Sequence, residues 1–88
     1  MSVSATFEVL ADPTRRQIVA FLADGEAPAG EIAAQFNSTP PAVSQHLRVL
    51  RDAGVVAVRP DAQRRFYRLN RAAMVEAAEW LVRMAGQP

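Results

Sequence analysis

The chain has 88 residues, half of them apolar, with no cysteine and a formal net charge of +1. A chain this short forms one domain, burying roughly 60–65% of its extended surface. Without cysteine neither disulfides nor thiolate metal sites reinforce it, so association with a second copy is the natural supplement. No apolar run approaches the roughly 18 residues of a membrane span, and the N-terminus lacks the basic-then-apolar order of a signal peptide, so a cytoplasmic protein is expected.

Ser4 to Leu10 reads as a short amphipathic segment with Phe7 and Leu10 as its apolar contacts. Asp12-Pro13 opens the next helix. Asp12 supplies an N-cap acceptor, and a proline at the first helical position gives up an N–H that would be unpaired there anyway. That helix runs to about Ala23, with Ile18, Phe21 and Leu22 on one face, and Asp24-Gly25 stops it. Pro28 to Phe36 is predicted as a third, shorter helix with Ile32 and Phe36 four apart, ended by Asn37 in a left-handed conformation.

Thr39 caps the fourth helix, and the Pro40-Pro41 pair after it is tolerated only in a first turn. At about 100° per residue, Val43, Leu47 and Leu50 fall within about 60° of one another as a buried stripe, with Pro41, Ser44, Gln45 and Arg48 on the opposite side. Gly54 stops this helix. Val55 to Arg59 and Arg65 to Leu69 then read as two strands joined by Pro60-Asp61-Ala62-Gln63-Arg64, a hairpin with a basic tip.

Asn70 caps a last helix, Arg71 to Ala85. Its polar side is narrow, holding Glu76, Glu79 and Arg83 within about 60°, while Met74, Val75, Ala77, Ala78, Trp80, Leu81, Val82, Met84 and Ala85 cover the remaining girth. A helix so widely apolar must be buried on more than one side. The fold class that follows is mainly α with a small β-hairpin: five helices and a two-stranded wing, in a single domain spanning residues 1–88.

Charge is unevenly spread. Ser44 to Arg71 carries seven arginines and two acids, a net +5, against −4 for the remainder. Such a split marks a polyanion-binding face on a nearly neutral protein. Three helices followed by a hairpin form the winged helix-turn-helix arrangement, in which the helix before the wing enters the major groove. On that helix Ser44 donates or accepts, Gln45 suits adenine, and Arg48 reaches guanine or a phosphate. Because Pro40 and Pro41 lack an N–H, only amides such as those of Ala42 and Val43 remain to donate to phosphate, and anchoring leans on Thr39, Arg51, Arg64 and Arg65.

Several of these residues also have a plain structural reading. Arg64 and Arg65 would otherwise pair with Asp61 or solubilise the tip, and Arg59 and Arg68, deeper in the strands, stand evenly between structural and DNA contacts. Arg15 and Arg16 are expected in ion pairs with Glu8 or another acid, and His46 as a packed, hydrogen-bonded side chain beside the buried stripe. Met74, Met84 and Trp80 read as core or interface, not as a cofactor box.

Leu10-Ala11-Asp12-Pro13-Thr14-Arg15-Arg16-Gln17-Ile18-Val19, Val43-Ser44-Gln45-His46-Leu47-Arg48-Val49-Leu50-Arg51-Asp52-Ala53-Gly54-Val55-Val56 and Arg65-Phe66-Tyr67-Arg68-Leu69 together resemble the ArsR family of bacterial repressors, in order and over nearly the whole chain. The resemblance implies a homodimer built from the first and last helices, here through Phe7, Leu10, Met74, Ala77, Trp80, Leu81 and Met84. It implies binding to an inverted repeat in double-stranded DNA, with contacts at Thr39, Pro41, Ala42, Ser44, Gln45, Arg48 and the wing.

Many members of that family sense metals through cysteines at the third helix or through His and carboxylate ligands on the last. This chain has Ala27-Pro28-Ala29-Gly30 at the first place and only Glu76 and Glu79 at the second, a poor transition-metal set, so it is similar to the metal-independent, autorepressor-like branch and needs no cofactor. It departs from the family at Asn37-Ser38, at Pro40-Pro41 and at Gln63, a place often held by glycine.

Two readings of different class follow: a dimeric, sequence-specific repressor, or a winged-helix module whose basic segment meets an acidic protein. The polar outward face of Ser44, Gln45 and Arg48 favours DNA. An enzyme is not indicated, since there is no Gly-rich phosphate loop and His46 has no evident catalytic partner. No effector is named by the sequence.

Overall fold

The computed structural model describes residues 2–86. In chain order the elements are α1 (Val3–Leu10), α2 (Pro13–Leu22), β1 (Ala27–Pro28), α3 (Ala29–Ala34), α4 (Pro40–Asp52), β2 (Val56–Asp61), β3 (Arg64–Leu69) and α5 (Arg71–Ala85). The five helices and the winged hairpin agree with the reading of the sequence. The sheet does not stop at two strands: β1 adds to the far edge of β3, giving the antiparallel order β1-β3-β2 with Ala27 opposite Tyr67 and Pro28 opposite Phe66. Pro28 is therefore a strand residue and the N-cap of α3, not part of the helix, which shrinks to six residues. A proline is admissible there because β1 is an edge strand.

Local chemistry accounts for most boundaries. Asp12 Oδ1 accepts from the amides of Thr14 at 2.8 Å and Arg15 at 3.1 Å, with Pro13 at the first helical position. Its carboxyl is held below the ordinary range, first by the Arg15 amide and then by the Thr14 amide against a counteracting loss of hydration. Ser2 caps α1 in the same manner, accepting from the Ala5 amide. The end of α3 departs from expectation: Asn37 is not left-handed, and the helix unwinds through short-range bonds from the Gln35 amide to Ile32 and from the Phe36 amide to Ala33.

At the end of α4, Gly54 takes φ +80°, its amide donating to Arg51 O and the Val55 amide to Leu50 O, both at 2.9 Å. This is the left-handed Schellman ending, closed by apolar contact between two side chains with no exposed surface, Leu50 and Val55.

The wing is tighter than the expected five-residue connection. Strands run to Asp61 and from Arg64, leaving only Ala62-Gln63 in the turn, and Pro60 is accommodated in β2 because that strand is the other edge of the sheet. Ala62 has φ +56°, a left-handed value at the first turn position, where hairpins usually place glycine.

Ile18, Leu22, Ile32, Val43, Leu47, Leu50 and Val55 are nearly or wholly excluded from solvent and form the core between α2, α3, α4 and the sheet. Asn70 sits at the N-cap of α5, but its Nδ2 donates to Gly54 O at 2.8 Å instead of capping the helix. α1 and α5 pack together, with Phe7 and Trp80 in an edge-to-face contact at 5.5 Å.

Candidate nucleic-acid interface

α4 is sorted along its length as its stripe requires. Val43, Leu47 and Leu50 are buried, and Thr39, Pro41, Ala42, Ser44, Gln45, Arg48 and Arg51 are exposed. At its N-terminus the structure corrects one expectation. The Ala42 amide donates to Thr39 Oγ1 at 3.3 Å and the Val43 amide to Thr39 O at 3.1 Å, so with Pro40 and Pro41 lacking donors, the first turn has no free amide to offer an anion. Anion binding at this end falls to side chains.

Two groups stand out among the arginines. Arg15 and Arg16 do not take the expected acidic partners: Arg15 Nε donates to Val9 O at 2.6 Å and Arg16 Nη1 to Leu10 O at 2.8 Å. The last carbonyls of α1 lack helical donors and carry partial negative charge, which suits a guanidinium. Arg71 treats Ala23 O at the end of α2 in the same way, at 2.8 Å. Arg15 Nη1 also lies 3.4 Å from His46 Nδ1, and because a guanidinium only donates, that nitrogen accepts. His46 is thus half-buried and hydrogen-bonded, as expected.

Arg59 is structural. Its Nη2 meets Glu26 Oε1 at 2.6 Å and its Nε meets Oε2 at 3.1 Å, while Nη1 lies 3.5 Å from Asp61 and the guanidinium stacks 4.7 Å over Phe66. The pairing holds the Glu26 carboxyl below its ordinary range, chiefly through the hydrogen bonds from Arg59, and raises Arg59 in turn. Asp61 therefore serves Arg59, not Arg64 or Arg65.

A second group has no internal partner. Among the described residues Arg48, Arg51 and Arg65 form neither a hydrogen bond nor an ion pair, and all three line one cleft of about 440 Å³ between α4 and β3, together with Ser44 and Tyr67. No acidic residue lines it. Arg64, one position earlier on the strand, turns to the other face, where its guanidinium lies 5.2 Å from the centre of the Phe66 ring. Tyr67 is absent from the residues singled out by sequence, although strand alternation alone places it on the same face as Arg65.

The residues expected at a dimer interface also separate. Ala77 is 6% exposed and Met74 packs on the protomer's own core, and Phe7 and Leu10 are half-buried. Leu81 and Met84 are 52% and 61% exposed, and Trp80 keeps part of its ring open. Val75 and Val82, not among the expected contacts, continue the same exposed apolar surface along α5. Among the described residues no three of His, Cys, Asp and Glu come together as a metal site, and no helix is long and apolar enough to cross a membrane.

Residues 12–58, from the cap of α2 through α4 into β2, match the family model described as bacterial regulatory protein, arsR family. The chain belongs to the ArsR family. The transcriptional repressor SdpR of Bacillus subtilis is 36% identical over 76 residues, 86% of this chain and 84% of that protein. The HTH-type transcriptional regulator Rv2034 of Mycobacterium tuberculosis is 46% identical over 69 residues, 78% of this chain and 64% of that one. The structure of HlyU from Vibrio cholerae, a protein named as a transcriptional activator, superposes with a TM-score of 0.74 at 34% identity, covering 89% of this chain and 88% of the other. These relatives of the ArsR-family chain are named as transcriptional regulators, and HlyU shares the winged helix-turn-helix fold described above.

Proposed function

We propose that this ArsR-family chain is a sequence-specific, DNA-binding repressor, acting as a homodimer on an inverted-repeat operator and needing no metal or other cofactor. The observation that carries the reading is a gathering of arginines: Arg15, Arg16 and Arg71 are tied to carbonyls and Arg59 to Glu26, whereas Arg48, Arg51 and Arg65 stay unpaired together on one cleft beside the exposed face of α4. Ser44, Gln45 and Arg48 face the base edges, Thr39, Pro41 and Ala42 approach the backbone at the start of the helix, and Arg51, Arg64 and Arg65 hold phosphates.

Dimerisation through α1 and α5 covers the exposed apolar side of α5 and places two recognition helices in successive major grooves, about 34 Å apart. Repression is favoured over activation by the names of SdpR and the biofilm growth-associated repressors among the relatives. Metal independence is supported by the donor set, because Glu76 and Glu79 lack an imidazole or thiolate beside them.

The test is a fluorescence anisotropy titration of a palindromic duplex from upstream of the gene against random duplex, at two salt concentrations and without added metal. Selective, salt-steep binding is expected. Arg48→Ala should cost about 1–3 kcal/mol on the operator and less on random DNA if the residue reads a base, and equal amounts on both if it holds a phosphate. Weak binding to every duplex by an intact dimer would reject the reading, and tight stoichiometric zinc binding by the purified protein would reject its metal-independent part.

A further inference from the structure

We propose that the cleft between α4 and β3 is a seat for a single DNA backbone phosphate, with Tyr67 supplying a neutral hydroxyl donor beside the guanidinium groups of Arg51 and Arg65. The inference rests on the DNA-binding reading and extends it to a residue and a site that sequence did not indicate.

Three observations converge on this cleft. The first is electrostatic: three guanidinium groups line one concavity of about 440 Å³ with no carboxylate among its walls. Like charges gathered without a counter-charge repel, and an anion held among them relieves that repulsion. The second is where the unpaired cations gather. Arg15, Arg16 and Arg71 find helix-end carbonyls and Arg59 finds Glu26; among the described residues Arg64, Arg68 and Arg83 also make no hydrogen bond or ion pair, but Arg48, Arg51 and Arg65 are gathered on one cleft.

The third is Tyr67. It stands in the central strand, opposite Ala27 of β1 on one side and Val58 of β2 on the other, so its backbone is fixed from both edges. Its ring is half-buried and lines the cleft, yet among the described residues its hydroxyl makes no hydrogen bond. A neutral O–H on a strand held from both sides, beside long flexible-chain cations, adds direction to a site that charge alone would leave loose.

Because the cleft takes Ser44, Arg48 and Arg51 from the helix and Arg65 and Tyr67 from the wing, one phosphate in it ties both elements to the same point of the backbone. Tyr67 is thus a positioning contact that sets how deep helix and wing sit together. Since the first turn of α4 has no free amide, this seat takes the place of a helix N-terminus as the anchor.

The experiment uses the full chain with Tyr67→Phe and, as a second variant, Arg65→Gln, after thermal melts confirm that both are folded. Tyr67→Phe is expected to weaken operator and random duplex alike by about tenfold, with the salt slope unchanged because no charge is removed. Arg65→Gln is expected to weaken both and flatten the slope. Methylphosphonates are then placed one at a time along the operator. One position in each half-site should weaken Tyr67→Phe by clearly less than it weakens the wild type, because the hydroxyl's share of the loss is already gone while that of Arg51 and Arg65 remains.

Additive losses at every position, or unchanged affinity in Tyr67→Phe, would overturn the proposal while leaving the DNA reading intact. Absence of salt-steep binding to any duplex by the wild type would overturn both. Displacement of DNA by inorganic phosphate beyond the effect of chloride at equal ionic strength would make the cleft a free-anion site and overturn the proposal as well.

Discussion

Replacing Leu81 with serine tests the dimer directly, because about half of the side chain is open in the protomer and available to any partner that covers α5. Leu81 is 52% exposed in the single chain. Burying a whole leucine side chain stabilises by about 1.5–3 kcal/mol, so covering the open half contributes about 0.8–1.5 kcal/mol per protomer. A two-fold interface counts each residue twice, giving about 1.5–3 kcal/mol for the pair. At about 1.4 kcal/mol per tenfold, the dimer dissociation constant should rise roughly 10- to 150-fold. Sedimentation equilibrium measures that constant, and circular dichroism shows whether the monomer is still folded. A dimer constant within about threefold of the wild type, in a folded Leu81→Ser protein, would refute the assignment of this face.

Two backbone substitutions should act in opposite directions. Gly54→Ala forces a side chain into φ +80° and should destabilise by roughly 1 kcal/mol, whereas Ala62→Gly relieves φ +56° and should stabilise by up to about 1 kcal/mol, both read from urea unfolding midpoints. The Glu26–Arg59 pair predicts a pH dependence. The Glu26 carboxyl titrates lower when folded than its ordinary value of 4.5, so its contribution is complete above that value and is lost as pH falls through the lowered one. The difference in melting temperature between wild type and Glu26→Gln should therefore be widest near neutrality and close progressively below pH 4.5. A difference that stays constant into strong acid would show that the pair contributes nothing through charge.

Much of the molecule is legible in its residues because those parts are governed by local rules. Asp12-Pro13 opens a helix by satisfying its own amides, Val43, Leu47 and Leu50 divide α4 by period alone, and Gly54 ends it by a conformation that glycine enters freely. What escaped the sequence depends on partners far along the chain or on groups common to every residue. β1 is two residues whose register is set by Tyr67 and Phe66, some forty positions later. Arg15 and Arg16 choose backbone carbonyls of α1, which no inventory of acidic side chains would reveal. The turn at Ala62 breaks the preference that a reader of sequence relies on, since it places a non-glycine residue in a left-handed conformation. On α5 the apolar girth was visible, but not which arc α1 and the core would take. Packing assigned Ala73 and Ala77 inward and left Val75, Leu81, Val82 and Met84 outward.

The junction at Gly54 and Val55 joins elements that are otherwise distant in the chain. The Val55 amide reaches back into α4 at Leu50 O, the Asn70 amide donates to Val55 O at 2.9 Å, and Asn70 Nδ2 donates to Gly54 O. The end of α4, the start of β2 and the start of α5 are thereby fastened at one spot, next to two side chains with no contact to water. Such a fastening opens all at once or not at all, so the amides of Val55 and Asn70 should exchange with deuterium at one common rate, the slow rate of global unfolding. Any force that turns α5 is then felt at the root of α4 without a flexible joint between them.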